Sequence, residues 1–454
     1  MIDPSRLQLL NDRPVRKGAK YVLYWMQASQ RTRFNHALEY AIERSNALRL
    51  PVVVAFGLMD DYPEANARHY AFLLQGLRDM EIALAKRGIG FLVQRGSPAE
   101  VALKLSRGAA IVVCDRGYLR HQKQWRDELA DRSTCKVVEV ESDVIVPVEV
   151  ASAKHEFAAR TLRPRIHKHL RDYLKPITHG RPTLRSTSLP VRSGFRVSDP
   201  AAALAKLKLD RSVTPSNRFI GGEVAARKLL RTFIANKLAG YAAKRNEPAV
   251  QHTSTLAAYL HFGHISPLEI ALAVSHASAP RIDRDAYLEE LIIRRELSVN
   301  FVHFNPRYDS YEALPAWAKK TLAEHRRDPR STIYSRGQLE RAQTSDLYWN
   351  AAQLEMTRTG YMHNYMRMYW GKKIIEWKRT PQEAYADAIY LNNKYFLCGR
   401  DPNAWANVGW LFGLHDRPWG PARPIFGLVR YMNAAGLQRK FDMDAYVAWV
   451  ETLA

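Results

Sequence analysis

The chain has 454 residues with 68 Lys and Arg against 45 Asp and Glu, and its formal net charge is +23. A hydrophobic fraction of 46% is that of a folded protein, so composition excludes wholesale disorder and the charge indicates a polyanionic partner, nucleic acid before any other. Three cysteines without a CxxC pair exclude a disulfide scaffold and a cysteine zinc site, and the lack of a run of about 18 apolar residues excludes a membrane span and favours a cytoplasmic protein.

The first third of the chain alternates short apolar runs with amphipathic helical patterns. Strands are predicted at Tyr21–Trp25, Val52–Phe56, Gly90–Val93, Ile111–Cys114 and Val137–Val140, and helices at about 33–48, 66–87, 98–107 and 118–130. Apolar strands separated by helices form parallel sheets that helices cover on both faces. The sequence thus predicts a doubly wound, Rossmann-like α/β domain at residues 1–142.

A basic stretch with seven prolines between residues 143 and 215 interrupts this alternation. It is too long for a short loop, so we expect an interdomain linker that drapes over the surface, with a helical basic part at residues 160–175. From Glu223 onward helical periodicity returns without a convincing strand. Residues 216–454 are therefore predicted to form an all-α domain.

Tryptophans concentrate in the last third of the chain. Trp370 and Trp377 lie seven residues apart, on one face of a predicted helix, and Trp349 lies just upstream. Three more follow at Trp405, Trp410 and Trp419. A single indole is usually a core residue. A cluster this dense, mixed with Arg, Lys, Asn and Met, predicts either an aromatic environment around a redox cofactor or a platform for nucleobases.

Three hydroxyl residues, Thr253–Thr255, stand directly before a helical pattern. Their donors suit a phosphate at a helix N-terminus, but a plain N-cap needs only one of them, so both interpretations stay open. The chain also contains two close histidine pairs, His167 with His169 and His261 with His264. Because neither pair has acidic or cysteine partners nearby, we expect surface or hydrogen-bonding roles and no metal.

Two further segments combine polar groups with helical patterns. Glu290 and Arg294 are four residues apart, which predicts an exposed ion pair on one helical face or, among apolar neighbours, the lining of a polar pocket. Asn392 and Asn393 precede the run Cys398–Asn403, in which a simple turn explains the Gly, Asp and Pro residues. The same turn does not explain the two amides if they prove buried.

Six segments together resemble the photolyase and cryptochrome superfamily, and within it the class II cyclobutane pyrimidine dimer photolyases. They are Tyr24–Met26, Asn66–Tyr70 with Phe72–Leu74, Leu260–Gly263, Arg294–Leu297, Met362–Lys373 and Arg430–Asn433. Such proteins join an α/β domain to an all-helical domain that binds FAD, which agrees with the division predicted above. The resemblance implies an enzyme, a carbon–carbon lyase, that repairs pyrimidine dimers in DNA.

The resemblance also implies where FAD would bind. Its ribityl chain and phosphates would contact Tyr241, Thr253, Ser254, Thr255 and Leu256. Its rings would be surrounded by Arg295, Asn364 and Arg367, with Asn392 near the reactive nitrogen and Cys398 and Asp401 in the neighbouring run. Trp370, Trp349 and Trp377 would relay electrons from the surface to photoexcited flavin, because the π-system of indole can lose an electron transiently.

Lesion recognition would use a cavity that receives the dimer flipped out of double-stranded DNA. The residues implied for it are Arg245, Glu290, Arg294, Tyr365, Met368, Trp410 and Arg430. In the implied reaction, excited FADH⁻ gives an electron to the dimer, the cyclobutane ring opens, and the electron returns to the flavin. Glu290 would give a hydrogen bond or a proton to a dimer carbonyl. The protein is expected to be a monomer. In a prokaryote, its binding to DNA would place it at the nucleoid.

Two residues depart from the class II pattern. Cys398 stands where an acid is common, one that would pair with Arg367 beside the flavin. This change bears on the stability of the flavin radical and on photoreduction. Arg294 stands where related photolyases often have a Trp, which bears on the second wall of the dimer pocket.

The same residues bear on other possible functions. A histidine pair four residues apart is expected in a (6-4) photolyase, and the corresponding positions hold Asn364 and Met368, which argues against that activity. A cryptochrome-like blue-light photoreceptor and a flavin-free nucleic-acid-binding protein are the remaining alternatives to repair. By analogy, a deazaflavin-type antenna is expected in the N-terminal domain, with an empty site as the alternative.

Overall fold

The computed structural model describes residues 1–190 and 193–453. Its strands are β1 (Leu7–Leu9), β2 (Tyr21–Trp25), β3 (Val52–Leu58), β4 (Gly90–Arg95), β5 (Ala109–Asp115) and β6 (Lys136–Val140). Its α-helices are α1 (His36–Leu48), α2 (Ala67–Lys86), α3 (Pro98–Ser106), α4 (Arg120–Arg132), α5 (Val148–Ala151), α6 (Ala159–Tyr173), α7 (Pro200–Ala205), α8 (Glu223–Asn236), α9 (Tyr241–Lys244), α10 (Ala257–His261), α11 (Pro267–Ser275), α12 (Arg281–Leu288), α13 (Arg295–Phe304), α14 (Ala316–Glu324), α15 (Arg336–Glu340), α16 (Leu347–Thr359), α17 (Asn364–Trp377), α18 (Pro381–Tyr395), α19 (Pro402–Leu411), α20 (Ala434–Gln438) and α21 (Met443–Glu451). Short 3-10 helices at Pro4–Arg6 and Tyr311–Ala313 and a π-helix at Glu289–Arg294 complete the elements.

The strands form one six-stranded sheet in the order β1-β6-β5-β2-β3-β4. Strands β2 to β6 run parallel to one another, and β1 pairs antiparallel with β6. The chain leaves β2 for β3 and β4 on one side and returns to β5 and β6 on the other, so β2 and β5 flank a topological switch point. The predicted doubly wound domain is confirmed. Strand β1 is not predicted, because a three-residue strand is too short to show periodicity.

Helices cover both faces of the sheet, as its apolar strands predict. Successive residues of β2 point to opposite faces. Val22 and Tyr24 pack with α1 and α2, whereas Leu23 and Trp25 pack with α3 and α4. All five residues of β2 are buried, which explains why this strand has no polar alternation. The four helices begin and end within one turn of the predicted bounds.

Among its described residues, the proline-rich stretch contains the helix α6 of 15 residues and the short helices α5 and α7 rather than one extended loop. Helix α6 confirms the helical basic segment predicted at residues 160–175. Its apolar residues Leu162 and Ile166 pack against the helical half, whereas Leu207, just after α7, packs against the sheet domain. The stretch therefore contacts both halves of the protein, and the domain boundaries at residues 142 and 215 stay a prediction.

The largest apolar cluster lies in the helical half, mainly among α16, α17, α18 and α19. Among the described residues from 223 to 453, the backbone forms helices and one isolated bridge, between Arg423 and Gly427, but no strand. The prediction of an all-helical C-terminal half is thus confirmed. None of the helices in the described ranges is both long enough and apolar enough to span a membrane.

One arginine from the sheet domain joins the two halves. Arg68, in the first turn of α2, is only 1% exposed. It donates to the carbonyl oxygens of Met356 at 3.2 Å, Thr357 at 2.6 Å and Tyr395 at 3.1 Å. These carbonyls belong to the last turns of α16 and α18, where helices have unsatisfied acceptors and the negative end of their dipole. The sheet domain thereby caps two helices that carry candidate site residues.

Candidate functional site

Three tryptophans of the helical half stack in series. The rings of Trp349 on α16 and Trp370 on α17 are nearly parallel, with an interplanar angle of 7° and centroids 6.4 Å apart. Trp377 meets Trp349 edge to face, with centroids 5.4 Å apart. Trp349 therefore lies between the other two, and the structure brings all three predicted relay residues together.

Hydrogen bonds and burial hold these rings in place. Nε1 of Trp349 donates to the carbonyl oxygen of Trp370 at 2.9 Å, and Nε1 of Trp370 donates to Oε1 of Gln353 at 2.8 Å. Trp377 is only 4% exposed, and the Tyr334 ring lies against it at 5.1 Å. The outer end of the stack is therefore covered rather than open to solvent.

The three hydroxyl residues before α10 lie beside two tyrosines. Oγ1 of Thr253 and the hydroxyl of Tyr361 are 3.0 Å apart, and the hydroxyl of Tyr287 donates to Oγ of Ser254 at 3.1 Å. Thr255 has a φ of 55°, a left-handed conformation that few non-glycine residues adopt. Because α10 has only five residues, its dipole is small, and the hydroxyls are the stronger reason to expect a phosphate here.

Tyr241 connects this segment with residues expected at the lesion. Its ring lies edge to face against Tyr287 at 5.2 Å, and the Arg245 guanidinium lies 5.9 Å from its centroid. Arg245 in turn donates from Nη1 to Oε1 of Glu290 at 2.7 Å. Burial raises the pKa of Tyr241 to about 12, so its hydroxyl stays protonated. Leu256 is buried in the same apolar cluster as Tyr241.

The predicted ion pair between Glu290 and Arg294 is wrong. Residues 289–294 form a π-helix, in which the i to i+5 repeat brings side chains five apart onto one face. Arg294 accordingly pairs with Glu289, Nε to Oε1 at 3.3 Å, whereas Glu290 pairs with Arg245. The side chains of Glu290 and Arg294 are 40% and 53% exposed, so both are open to a ligand, in keeping with the alternative of a polar pocket.

Arg367 meets the residue that replaces the usual acid. Its Nη2 lies 3.2 Å from Sγ of Cys398, and its Nε donates to the carbonyl oxygen of Met362 at 3.1 Å. Its guanidinium also stacks on the ring of Phe396, 3.8 Å from the centroid. The described contacts of Arg367 are thus a thiol, a carbonyl and an aromatic face rather than a carboxylate.

The amides of Asn392 and Asn393 on α18 are both buried, at 4% and 0% exposure, which a surface turn does not explain. Nδ2 of Asn392 donates to Oδ1 of Asn393 at 2.9 Å, and Nδ2 of Asn393 donates to Oε2 of Glu64 at 2.6 Å. Glu64 belongs to the N-terminal half, so the two halves together orient the Asn392 amide.

Arg295 and Asp401 line a cavity between the two halves. Gln27, after β2, and Arg116, after β5, line the same cavity, so it lies at the switch point of the sheet. Nε of Arg295 and both amide atoms of Gln27 are buried without a hydrogen-bond partner among the described residues. Asp401 caps α19 by accepting from the backbone N of Ala404 at 2.7 Å, and burial raises its pKa to about 6.

Helix α17 carries six predicted site residues, Asn364, Tyr365, Arg367, Met368, Trp370 and Trp377. At 3.6 residues per turn, Asn364 and Met368 share one face and the two tryptophans share another. Arg367 lies between these faces. Asn364 is exposed, Tyr365 and Met368 are half-buried, and the Tyr365 ring meets that of Phe441 edge to face at 4.6 Å. One helix thus places the expected lesion residues and the tryptophan stack on either side of Arg367.

Aromatic and basic side chains alternate around the end of α19. The Arg430 guanidinium lies 4.4 Å from the Trp419 ring and 5.7 Å from the Trp410 ring, and that of Arg417 lies 4.5 Å from Trp419. Such alternation suits stacked bases and phosphates. The Lys372 ammonium is buried 5.1 Å from the Trp410 ring, and burial lowers its pKa to about 7.

The sequence does not single out Glu355, although in the structure it is buried among polar side chains near the expected flavin site. Its Oε2 accepts from the backbone N of His363 at 3.2 Å and from the hydroxyl of Tyr446 at 2.7 Å. Its Oε1 lies 3.6 Å from Nη1 of Arg218, whose guanidinium lies 5.0 Å from the Tyr361 ring. Burial raises the pKa of Glu355 to about 7. An acid among the apolar positions of a predicted helix is the one signal that points to it.

His261 and His264 are hydrogen-bonded, which is the second of the two roles, surface or hydrogen-bonding, that the sequence predicts. Nδ1 of His261 lies 2.8 Å from the carbonyl oxygen of Leu397, and the backbone N of Gly222 donates to Nδ1 of His264 at 3.0 Å. Burial lowers the pKa of both to about 3, so both are neutral, and His261 also lines the interdomain cavity.

Known proteins resemble this chain over nearly its whole length. A family model described as DNA photolyase matches residues 22–183. A deoxyribodipyrimidine photo-lyase of Methanothermobacter thermautotrophicus is 49% identical over 447 residues, which are 98% of each chain. A deoxyribodipyrimidine photo-lyase of Arabidopsis thaliana is 37% identical and covers 100% of this chain and 94% of its own.

Solved structures share the architecture at much lower identity. A class III photolyase from Agrobacterium tumefaciens superposes with a TM-score of 0.72 at 20% identity, covering 96% of this chain and 87% of its own. A cryptochrome from Synechocystis superposes with a TM-score of 0.71 at 16% identity, covering 94% of this chain and 87% of its own. These two support the fold alone, whereas the sequence relatives show the family. The chain therefore belongs to the deoxyribodipyrimidine photo-lyases of the photolyase and cryptochrome superfamily.

Proposed function

We propose that this photolyase opens cyclobutane pyrimidine dimers in double-stranded DNA with an electron from photoexcited, fully reduced FAD, in the manner of class II enzymes. The observation that carries the proposal is the stack of Trp349 and Trp370, whose rings lie 7° from parallel. Close, parallel indoles suit electron transfer, and a protein that only binds nucleic acid has no use for a buried stack of this kind. Arg367 lies between the stack and the expected lesion face of α17.

The side chains at the expected flavin site suit FAD. Nε of Arg295 is buried and has no hydrogen-bond partner among the described residues, so it can donate to a bound group. The hydroxyls of Thr253 and Ser254 suit a phosphate or ribityl group. The buried amide of Asn392 suits a ring nitrogen. These donors lie on separate elements of the helical half, as the separate phosphate, ribityl and ring groups of FAD require.

The protein's own groups would bind and orient the flavin. When bound, reduced FAD would supply the photoexcited electron that opens the dimer. The Asn392 amide, held by Asn393, would hydrogen-bond to the reactive ring nitrogen. The positive charge of Arg367 would stabilise an anionic reduced ring. Trp377, Trp349 and Trp370 would deliver the electrons that keep the flavin reduced.

At the lesion, Arg245 holds the Glu290 carboxyl from one side, with Nη1 and Oε1 2.7 Å apart. The other carboxyl oxygen of Glu290 would then face a carbonyl of the flipped dimer, as a hydrogen-bonding or proton-donating group. Trp410 would form an aromatic wall, and Arg430 would contact the DNA backbone. A dimer pairs and stacks poorly, so extruding it costs less than extruding normal bases.

The part of the switch-point cavity that the sheet domain lines is the proposed site of the antenna, and its helical side, with Arg295 and Asp401, would face the flavin. Tyr62 and Trp125 supply aromatic walls, and the unpartnered amide of Gln27 supplies both a donor and an acceptor. A flat heteroaromatic chromophore of the deazaflavin type has the chemistry to use all three.

A monomer is proposed as the active form.

Two alternative functions are separated from repair by simple measurements. A cryptochrome-like photoreceptor shares the fold and the flavin but does not remove dimers. A flavin-free nucleic-acid-binding protein stays colourless after purification and does not take up FAD.

Light-dependent repair of defined lesions tests the proposal. Protein with chemically reduced FAD is incubated in the dark and under blue light with duplexes that contain either a cyclobutane dimer or a (6-4) photoproduct. We expect loss of the cyclobutane dimer in the light alone and no loss of the (6-4) product. Equal dimer counts in light and dark would defeat the proposal.

A further inference from the structure

The connector helix α6 carries positive charge along its exposed side. Its 15 residues include five Arg and Lys and a single Asp. Leu162 and Ile166 are fully buried and define its inner face. Arg160, Lys168 and Arg171 are exposed, at helical positions opposite to that apolar face.

Three of these five charges have no ion-pair partner in the part of the chain that the structure describes. Arg165 pairs with Glu156 at 3.0 Å on one flank of the helix. Arg160, Lys168 and Arg171 have no carboxylate within pairing distance among residues 1–190 and 193–453. A solvated helix surface without a function more often mixes both signs. The pattern therefore indicates an external anionic partner.

The first turns of α6 adjoin residues that we expect at the lesion. Arg163 forms a two-pronged ion pair with Glu289, at 2.6 and 3.1 Å, directly beside Glu290. Phe157, just before the helix, is 56% exposed, and its carbonyl oxygen lies 3.0 Å from Nδ1 of His415. The segment after His415 leads to Trp419 and its arginines. One end of α6 thus lies at the rim of the proposed dimer pocket.

The other end of α6 lies well away from that rim. Tyr173, its last residue, has its hydroxyl 2.8 Å from Oγ of Ser5 at the start of the sheet domain. A helix of this length spans about 22 Å, at 1.5 Å per residue. Phosphates of one DNA strand are spaced by about 3.4 Å along the duplex axis, so about six of them fit along the helix. Arg160 and Arg171 lie three turns apart on the exposed side of α6, about 16 Å apart along the helix axis.

We propose that α6 is a second DNA-binding surface of this photolyase, which holds backbone phosphates of the duplex beside the flipped dimer through Arg160 and Arg171. The proposal rests on the proposed binding of dimers in double-stranded DNA. It assigns to the connector a role in affinity rather than in chemistry, because phosphate contacts position a duplex without reading its sequence.

A double variant, Arg160→Gln with Arg171→Gln, tests this surface. Its matched control, Lys104→Gln with Arg107→Gln, removes two exposed charges at the end of α3. Helix α3 packs on the face of the sheet opposite to the one that α1 and α2 cover. Dissociation constants are measured in the dark between about 0.05 and 0.2 M salt. The probes are a 30-base-pair duplex with one dimer, the same duplex without it, and a four-nucleotide single strand with the dimer.

Each phosphate contact contributes about 0.9 to the slope of log affinity against log salt. The α6 variant should therefore lose about 2 units of slope and at least about tenfold in affinity for both duplexes at 0.1 M salt, with less than a twofold change for the short strand. The control pair should keep the wild-type slope within about 0.5. An unchanged slope in the α6 variant, an equal loss in the control, or an equal loss for the short strand would overturn the proposal.

The two proposals fail in different ways. If the proposed dimer recognition is wrong, wild-type protein binds the damaged and undamaged duplexes equally. The salt slopes of the α6 variant and the wild type can still be compared on the undamaged duplex. Thermal unfolding of both double variants within about 2 °C of wild type checks that lost affinity is not lost folding.

Discussion

Nη2 of Arg367 lies 3.2 Å from the sulfur of Cys398, so a cation expected beside the flavin has an uncharged partner. A Cys398→Asp substitution supplies the missing carboxylate, which interacts with Arg367 by a few kcal/mol at an effective dielectric constant of about 20. The negative charge offsets the positive potential at the flavin. We expect the midpoint potential of bound FAD to fall on the order of 50 mV in this variant, measured by spectroelectrochemical titration. Cys398→Ser, which adds no charge, is the control. If the Asp and Ser variants have the same FAD midpoint potential, Arg367 does not lie beside the flavin.

Replacing Trp370 by Phe should interrupt the tryptophan stack. Phe keeps an apolar ring but is much harder to oxidise, and the parallel contact with Trp349 is lost. We expect photoreduction of oxidised FAD to slow at least about tenfold, whereas repair by chemically reduced enzyme stays near wild type. Time-resolved absorbance after a flash measures the first and dimer counting the second. Trp317→Phe, on α14 outside the stack, should behave as wild type, and rapid photoreduction in the Trp370 variant would take this residue out of the relay.

Truncating Trp410 should weaken binding of damaged DNA. Stacking of a base on an aromatic side chain is worth about 1–3 kcal/mol, so Trp410→Ala should bind a dimer-containing duplex about 5- to 150-fold more weakly. The undamaged duplex, which offers no flipped base, should lose little. Trp410→Phe retains a ring and should recover part of the difference. Equal losses on both duplexes in a fluorescence-anisotropy titration would place Trp410 outside the dimer pocket.

Burial of Glu355 should make the stability of the protein depend on pH. Its pKa is raised from the ordinary 4.5 to about 7, so the folded state holds a proton that the unfolded state has lost between these values. Stability from this group is therefore full below pH 4.5 and falls as the pH rises to 7. Relative to Glu355→Gln, which cannot ionise, the wild type should lose about 3 kcal/mol of unfolding free energy between pH 4.5 and 7.5. Urea unfolding at both pH values measures this, with exposed Glu324→Gln as control, and a constant difference between wild type and Glu355→Gln would refute it.

Loss of the Arg68 guanidinium should loosen the contact between the two halves. Arg68→Lys keeps the charge, but one ammonium cannot reach the carbonyl oxygens of Met356, Thr357 and Tyr395 together. The Met356 carbonyl also accepts from the backbone N of Gly360 at 2.9 Å, so the loss concerns the carbonyls of Thr357 and Tyr395, and an unpaired buried acceptor costs about 1–3 kcal/mol. We expect a lower thermal midpoint and faster loss of FAD for Arg68→Lys than for Arg78→Lys, a half-exposed arginine on the same helix. Equal midpoints would show that the contact contributes little.

The fold follows from the sequence wherever a periodic pattern is long enough to detect. The five parallel strands and their helices are apolar runs and amphipathic stretches of ordinary length, and they were predictable to within a turn. Strand β1 was not, since three residues show no periodicity. The π-helix at Glu289–Arg294 was not either, because its extra residue per turn leaves no mark in composition, and this is why the pairing of Glu290 was predicted wrongly.

The sequence names candidate site residues, but their contacts come from the structure. Trp349, Trp370 and Trp377 stand out by residue type, and the structure adds that Trp349 is central. Glu355 and Lys372 were missed because a charged residue in an amphipathic helix is normally on its exposed face. Only tertiary packing, which buries both, distinguishes them from surface charges.

The central claim is that bound, reduced FAD drives repair when it absorbs light. The direct measurement removes FAD from the purified protein, restores it, reduces it chemically, and counts cyclobutane dimers in a defined duplex after blue light or darkness. The account predicts that dimers disappear only when FAD and light are both present, and that the flavin is still reduced afterwards. Dimer loss in the dark, or light-driven loss by protein without FAD, would contradict it.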